Sequence, residues 1–64
     1  MNRIKEFRKK RKKTQKELAE LVGISQPFLH DLENNRRGAK PETYQRIAEA
    51  LGVTVAELNL TKAG

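Results

Sequence analysis

Two helix starts and one forced stop lie within twenty residues of this chain, between Thr14 and Glu33. Thr14-x-x-Glu17 is a capping box, in which the hydroxyl and the carboxylate each satisfy an orphan backbone N–H of a helix's first turn. Leu18, Leu21 and Val22 then give an apolar stripe at helical spacing, and Gly23 supplies the left-handed residue that ends the helix. Ser25 opens a second helix. Pro27 is tolerated in its first turn because those N–H groups have no helical partner. Ser25 must therefore cap toward the Phe28 N–H. Leu29 and Leu32 form the inner side of this second helix. The segment can fold as two short helices joined by a tight turn, and as little else.

The remaining chain reads as helix throughout. A first helix is expected from about Arg3 to Lys12, with Asn2 as N-cap and Ile4, Phe7, Arg8 and Arg11 on one face. Residues 34–40 form a polar loop. Another helix begins near Pro41, buries Tyr44, Ile47, Ala48 and Leu51, and ends at Gly52. Thr54-x-x-Glu57 is a second capping box and opens a short fifth helix carrying Val55 and Leu58. The expected fold class is all-α: five helices in one domain over residues 1–64, with a frayed tail from about Thr61.

Charge narrows the partners. Residues 1–16 hold nine basic side chains and one acid, a net +8, whereas residues 17–64 hold five basic and seven acidic, a net −2. Such a patch attracts polyanions, of which DNA is the commonest, with an anionic membrane surface the weaker candidate. There is no cysteine, so neither a disulfide framework nor a thiolate metal site can form. His30 is the only histidine, which leaves a metal site short of ligands. Uninterrupted apolar runs reach two residues, so no stretch spans a membrane. The basic N-terminus is not followed by an apolar core of a secretory signal, and the expected location is cytoplasmic. No nucleophilic cysteine, glycine-rich phosphate loop or carboxylate–histidine cluster has catalytic spacing. An enzyme is not expected, nor is a cofactor.

Two capped helices joined by a glycine turn are the layout of a helix-turn-helix, which lays its second helix in the DNA major groove. The chain resembles the phage-repressor and Cro type of helix-turn-helix domain, the xenobiotic-response-element family. The matching residues are Arg8, Thr14-Gln15-x-Glu17-Leu18-Ala19, Gly23-Ile24-Ser25-Gln26, Leu29, Leu32-Glu33, Pro41 and Ile47-Ala48-x-x-Leu51-Gly52-Val53. The resemblance covers roughly residues 3–60 and implies a five-helix, lambda-repressor-like domain that binds double-stranded DNA as a homodimer.

It also implies roles. Gln15 falls where the family places a glutamine on a DNA phosphate, and a helix N-terminus suits an anion. Gln26 matches the first base-reading residue, and glutamine can pair bidentately with adenine. Phe28 has two readings, a thymine methyl contact or packing on the preceding helix. Pro27 and Asp31 lie near the groove, where Asp31 would accept from cytosine N4 or stay a surface charge. His30 reads as a solvated side chain or a phosphate contact. Asn35, Arg36, Arg37 and Lys40 run along the sugar-phosphate backbone, where contacts give affinity rather than sequence reading. Arg8 and Glu33 match a buried ion pair joining the first helix to the third. A dimer contact falls on Val55, Leu58 and Leu60, although Leu58 has a second reading as core.

The chain departs from the family at Lys12 and Lys13, where a glycine and an apolar or small residue are usual. One of these two lysines is expected in a left-handed conformation. Lys13 is expected to snorkel, and both add attraction for phosphate. The functional expectation is a sequence-specific transcriptional regulator, a repressor on a pseudo-palindromic operator. A second class is an interaction module such as an antitoxin, whose partner would be a toxin. A third is a non-specific polyanion binder.

Overall fold

A computed structural model describes residues 2–58. Four α-helices follow one another: α1 (Ile4–Lys10), α2 (Gln15–Val22), α3 (Gln26–Glu33) and α4 (Pro41–Leu51). A single 3-10 turn spans Ala56–Leu58. There is no strand among the described residues.

The capping chemistry expected from the sequence is in place. Thr14 Oγ1 accepts from the Glu17 N–H at 3.0 Å, and Glu17 Oε1 accepts from the Thr14 N–H at 2.8 Å. That backbone hydrogen bond holds the Glu17 carboxyl below the usual carboxylate range. Ser25 Oγ accepts from the Phe28 N–H at 3.2 Å, past the proline. Asn2 works from one position earlier than a cap, since Arg3 is the residue flanking α1 and the Asn2 Oδ1 accepts from the Ile4 N–H.

All four helices end on a left-handed residue: Lys12 (φ 55°), Gly23 (φ 81°), Asn35 (φ 59°) and Gly52 (φ 70°). After α1 the Lys13 N–H reaches the Arg8 carbonyl and the Lys12 N–H reaches the Lys9 carbonyl, a Schellman closure that uses up orphan carbonyls. This is why α1 stops short of the expected Lys12. The chain must reverse there to reach Thr14. A side chain in that conformation costs about 1–2 kcal/mol relative to glycine, offset in part by glycine's freer unfolded chain. Lys12→Gly is therefore expected to raise stability by about 0.5–1 kcal/mol in urea denaturation. A loss of stability would contradict this account of the turn.

The core holds Ile4, Leu18, Ala19, Val22, Leu29, Leu32, Ile47, Ala48, Leu51 and Leu58. Helix α2 packs against both α3 and α4, and α1 packs against α4. Because α2 has two neighbours, its inner arc is Leu18, Ala19 and Val22. Leu21, expected on the buried stripe, is 62% exposed. Tyr44 is half-buried rather than buried, and its hydroxyl accepts from the Ala39 N–H at 3.1 Å, pinning the loop before α4.

The expected fifth helix is only the 3-10 turn within the described residues. Its capping box forms, with Glu57 Oε1 accepting from the Thr54 N–H at 2.9 Å. The Glu57 and Leu58 N–H groups then bond three residues back, to the Thr54 and Val55 carbonyls. This tight turn drops Leu58 fully into the core, and its carbonyl accepts from the Arg3 N–H at 2.8 Å. The two ends of the described chain are thereby joined. Leu58 is core, so it is withdrawn from the dimer surface.

Candidate nucleic-acid interface

The start of α2 and the end of α3 are tied together by side chains. Arg8 Nε bonds Glu33 Oε2 at 2.7 Å, and both side chains are almost fully buried. Arg8 Nη1 also donates to the Lys13 carbonyl at 2.8 Å, so one guanidinium links α1, the turn before α2 and the end of α3. Glu33 Oε1 accepts from Gln15 Nε2 at 3.0 Å. The same Gln15 nitrogen lies 3.3 Å from His30 Nδ1. An ion pair, an amide and an imidazole thus form one continuous network from the core to the surface.

Helix α3 buries Leu29, Leu32 and Glu33. At helical spacing its opposite side carries Pro27 and Asp31, flanked by His30 and Asn34. Gln26, Pro27 and His30 are exposed, and Asp31 is half-buried. Phe28 is half-buried and packs against the core, with part of its ring still exposed. The Arg37 guanidinium stacks over the Phe28 ring, 4.9 Å from its centroid. Phe28 thereby holds a cation of the loop beside α3. Phe28 also lines an open depression with Gly38, Ala39, Lys40 and Thr43.

The loop cations Arg36, Arg37 and Lys40 are exposed, as is Asn35, whose side chain accepts from Asn2 Nδ2 at 2.9 Å. Lys13 is half-buried. Val55 is half-buried against the core, and Leu60 lies outside the described residues.

Three contacts were not legible in the sequence. Asn2 Nδ2 donates to the Leu32 carbonyl at 2.7 Å, fastening the start of the chain to the end of α3. Arg11 Nε donates to the Leu51 carbonyl at 2.8 Å. A Cβ on Gly52 would sit 2.9 Å from that guanidinium, so this glycine serves a close approach as well as a turn. The Gln15–His30 contact is the third. Local spacing signals none of these, because their partners are 15 to 40 residues apart.

A helix-turn-helix family profile matches residues 4–58. The chain belongs to that family. Helices α2 and α3 are its helix-turn-helix unit. The chain is 41% identical over 56 residues to the immunity repressor protein of Bacillus phage phi105, covering 88% of this chain and 39% of that protein. It is 39% identical over 56 residues to the HTH-type transcriptional regulator DdrOP3 of Deinococcus deserti, covering 88% of this chain and 43% of that regulator. The chain therefore spans less than half the length of either relative. The crystal structure of the clp gene regulator ClgR from Corynebacterium glutamicum superposes with a TM-score of 0.83 at 32% identity, covering 89% of this chain and 61% of that one. Among the described residues, no helix is long and apolar enough to cross a membrane.

Proposed function

We propose that this chain reads double-stranded DNA as the binding domain of a cytoplasmic transcriptional repressor, two copies meeting a pseudo-palindromic site. The observation that carries the reading is the exposed side of α3 beside the start of α2, in a chain of this family. Gln26 stands first in α3 with an exposed side chain, which supports its reading of a base edge. Asp31 lies on the outward side one turn beyond Pro27 and suits a cytosine amino group. Pro27 offers shape rather than a donor–acceptor pattern. Gln15, Lys13, His30 and Asn35, with Arg36, Arg37 and Lys40, supply phosphate contacts that fix register and affinity. Repression is supported by the phage relative, which is itself an immunity repressor.

With Leu58 in the core, the proposed dimer contact centres on Val55 and the chain that follows it. Two α3 helices would then enter successive major grooves about 34 Å apart. Selection of duplexes from a random pool tests the reading. The expected product is a pseudo-palindromic consensus bound by two chains. Recovery of no preferred sequence would overturn it.

A further inference from the structure

The hydrogen-bond arithmetic at Gln15 conflicts with its simplest role. A carboxylate can only accept, so the group facing Glu33 Oε1 at 3.0 Å must be the amide nitrogen of Gln15 and not its oxygen. That nitrogen has two hydrogens. One goes to Glu33, and the other lies toward His30 Nδ1 at 3.3 Å. A phosphate oxygen also only accepts. Gln15 therefore has no free hydrogen for a DNA phosphate while both bonds stand.

The imidazole determines whether they stand. To accept from Gln15, Nδ1 must be unprotonated, which puts the neutral ring's hydrogen on Nε2. Asn34 Nδ2 lies 3.5 Å from Nε2, but it is a donor already bonded to the His30 carbonyl at 2.8 Å. It therefore offers the Nε2 hydrogen no acceptor. A protonated ring carries a hydrogen on both nitrogens and accepts nothing.

We infer that Gln15 and His30 form a proton-linked phosphate subsite. A proton taken from solvent by His30 Nδ1 breaks the longer bond to Gln15. It frees that amide hydrogen for a phosphate oxygen and leaves an imidazolium beside the same anion. The shorter bond to Glu33 survives and keeps Gln15 in place. When DNA leaves, the proton returns to solvent. The inference rests on the DNA-binding reading above and adds His30 as the residue that governs the Gln15 donor.

The charged residues on the elements that meet here are Arg8 on α1, Lys13 and Lys16 at the start of α2, Asp31 and Glu33 on α3, and Arg36 beyond it. Carboxylates, lysines and arginines ordinarily titrate well outside pH 6–8, whereas histidine ordinarily titrates within it.

His30 is the only histidine of the chain, so its ring can be followed by NMR in the wild-type protein without a variant. Its titration midpoint is expected to move upward when the selected duplex is added. By linkage, affinity for that duplex at constant ionic strength should rise about fivefold from about pH 8 to about pH 6. His30→Gln keeps a neutral acceptor and should flatten the response. Gln15→Ala should lose most of it, whereas simple attraction of the imidazolium would leave it intact. Thermal melts at both pH values check that the variants fold. Selective binding with an unmoved or lowered midpoint, or a Gln15→Ala response equal to wild type, would overturn this inference alone. Absence of duplex binding at either pH would overturn the DNA-binding reading with it.

Discussion

Glu33→Leu is expected to remove about 3–5 kcal/mol of stability, because it strands the Arg8 guanidinium in a site with almost no solvent. A domain of this length has on the order of 3–10 kcal/mol in total, so much of the variant should be unfolded at room temperature. Arg8→Met strands the Glu33 carboxylate and should cost about as much. The pair itself is a different matter. Desolvation of two buried charges offsets most of their attraction, so Arg8→Met with Glu33→Leu should recover most of the lost stability. Urea denaturation followed by circular dichroism measures all three. A single variant that loses less than about 1 kcal/mol would show that the charge is not stranded and that the site relaxes around it. The double variant still lacks two anchors of the interface. Arg8 no longer holds the Lys13 carbonyl, and Glu33 no longer holds Gln15. Recovered folding with weakened DNA binding is therefore the expected combination.

Gln26→Ala should act in the opposite way. The side chain is exposed at the first position of α3, and it accepts or donates no hydrogen bond in Ser25's cap. Its loss should leave stability within about 0.5 kcal/mol of wild type. A bidentate base contact is worth about 1–3 kcal/mol, so affinity for the selected duplex should fall about five- to 150-fold. Affinity for a scrambled duplex should not change. In a repeated selection, preference should vanish at one base pair in each half-site and persist elsewhere. Uniform weakening on every sequence would assign Gln26 to the backbone instead.

The sequence made the α2–turn–α3 unit legible because its signals are local. A capping box, a left-handed glycine and a serine positioned to bypass a proline each act within a few residues. The turn after α1 was legible only through the resemblance, which puts a glycine there; that Lys12 rather than Lys13 takes the left-handed conformation is set by the closure onto Arg8 and Lys9. Leu21 was misplaced because a stripe at helical spacing does not say which arc a helix buries when it has two neighbours. The fifth helix is a 3-10 turn over the described residues, because a capping box marks a start and does not choose between α and 3-10 geometry. There Leu58 enters the core and gives its carbonyl to Arg3. At the interface, residue types pointed to Gln15 and Gln26, and the resemblance placed them. The competition for the Gln15 amide could not be read, because it depends on distances between α2 and α3 that only the packed core sets.

That core presents one side of α3 outward, and the central claim is that this side reads sequence. The direct test is the ratio of dissociation constants for the selected duplex and a scrambled duplex of the same composition, at about 0.15 M salt, where exposed charges are largely screened. A ratio of about a thousandfold or more is predicted, with two chains on the selected site. Equal affinities, each falling steeply with salt, would contradict the account and leave the basic N-terminal residues as a non-specific polyanion patch.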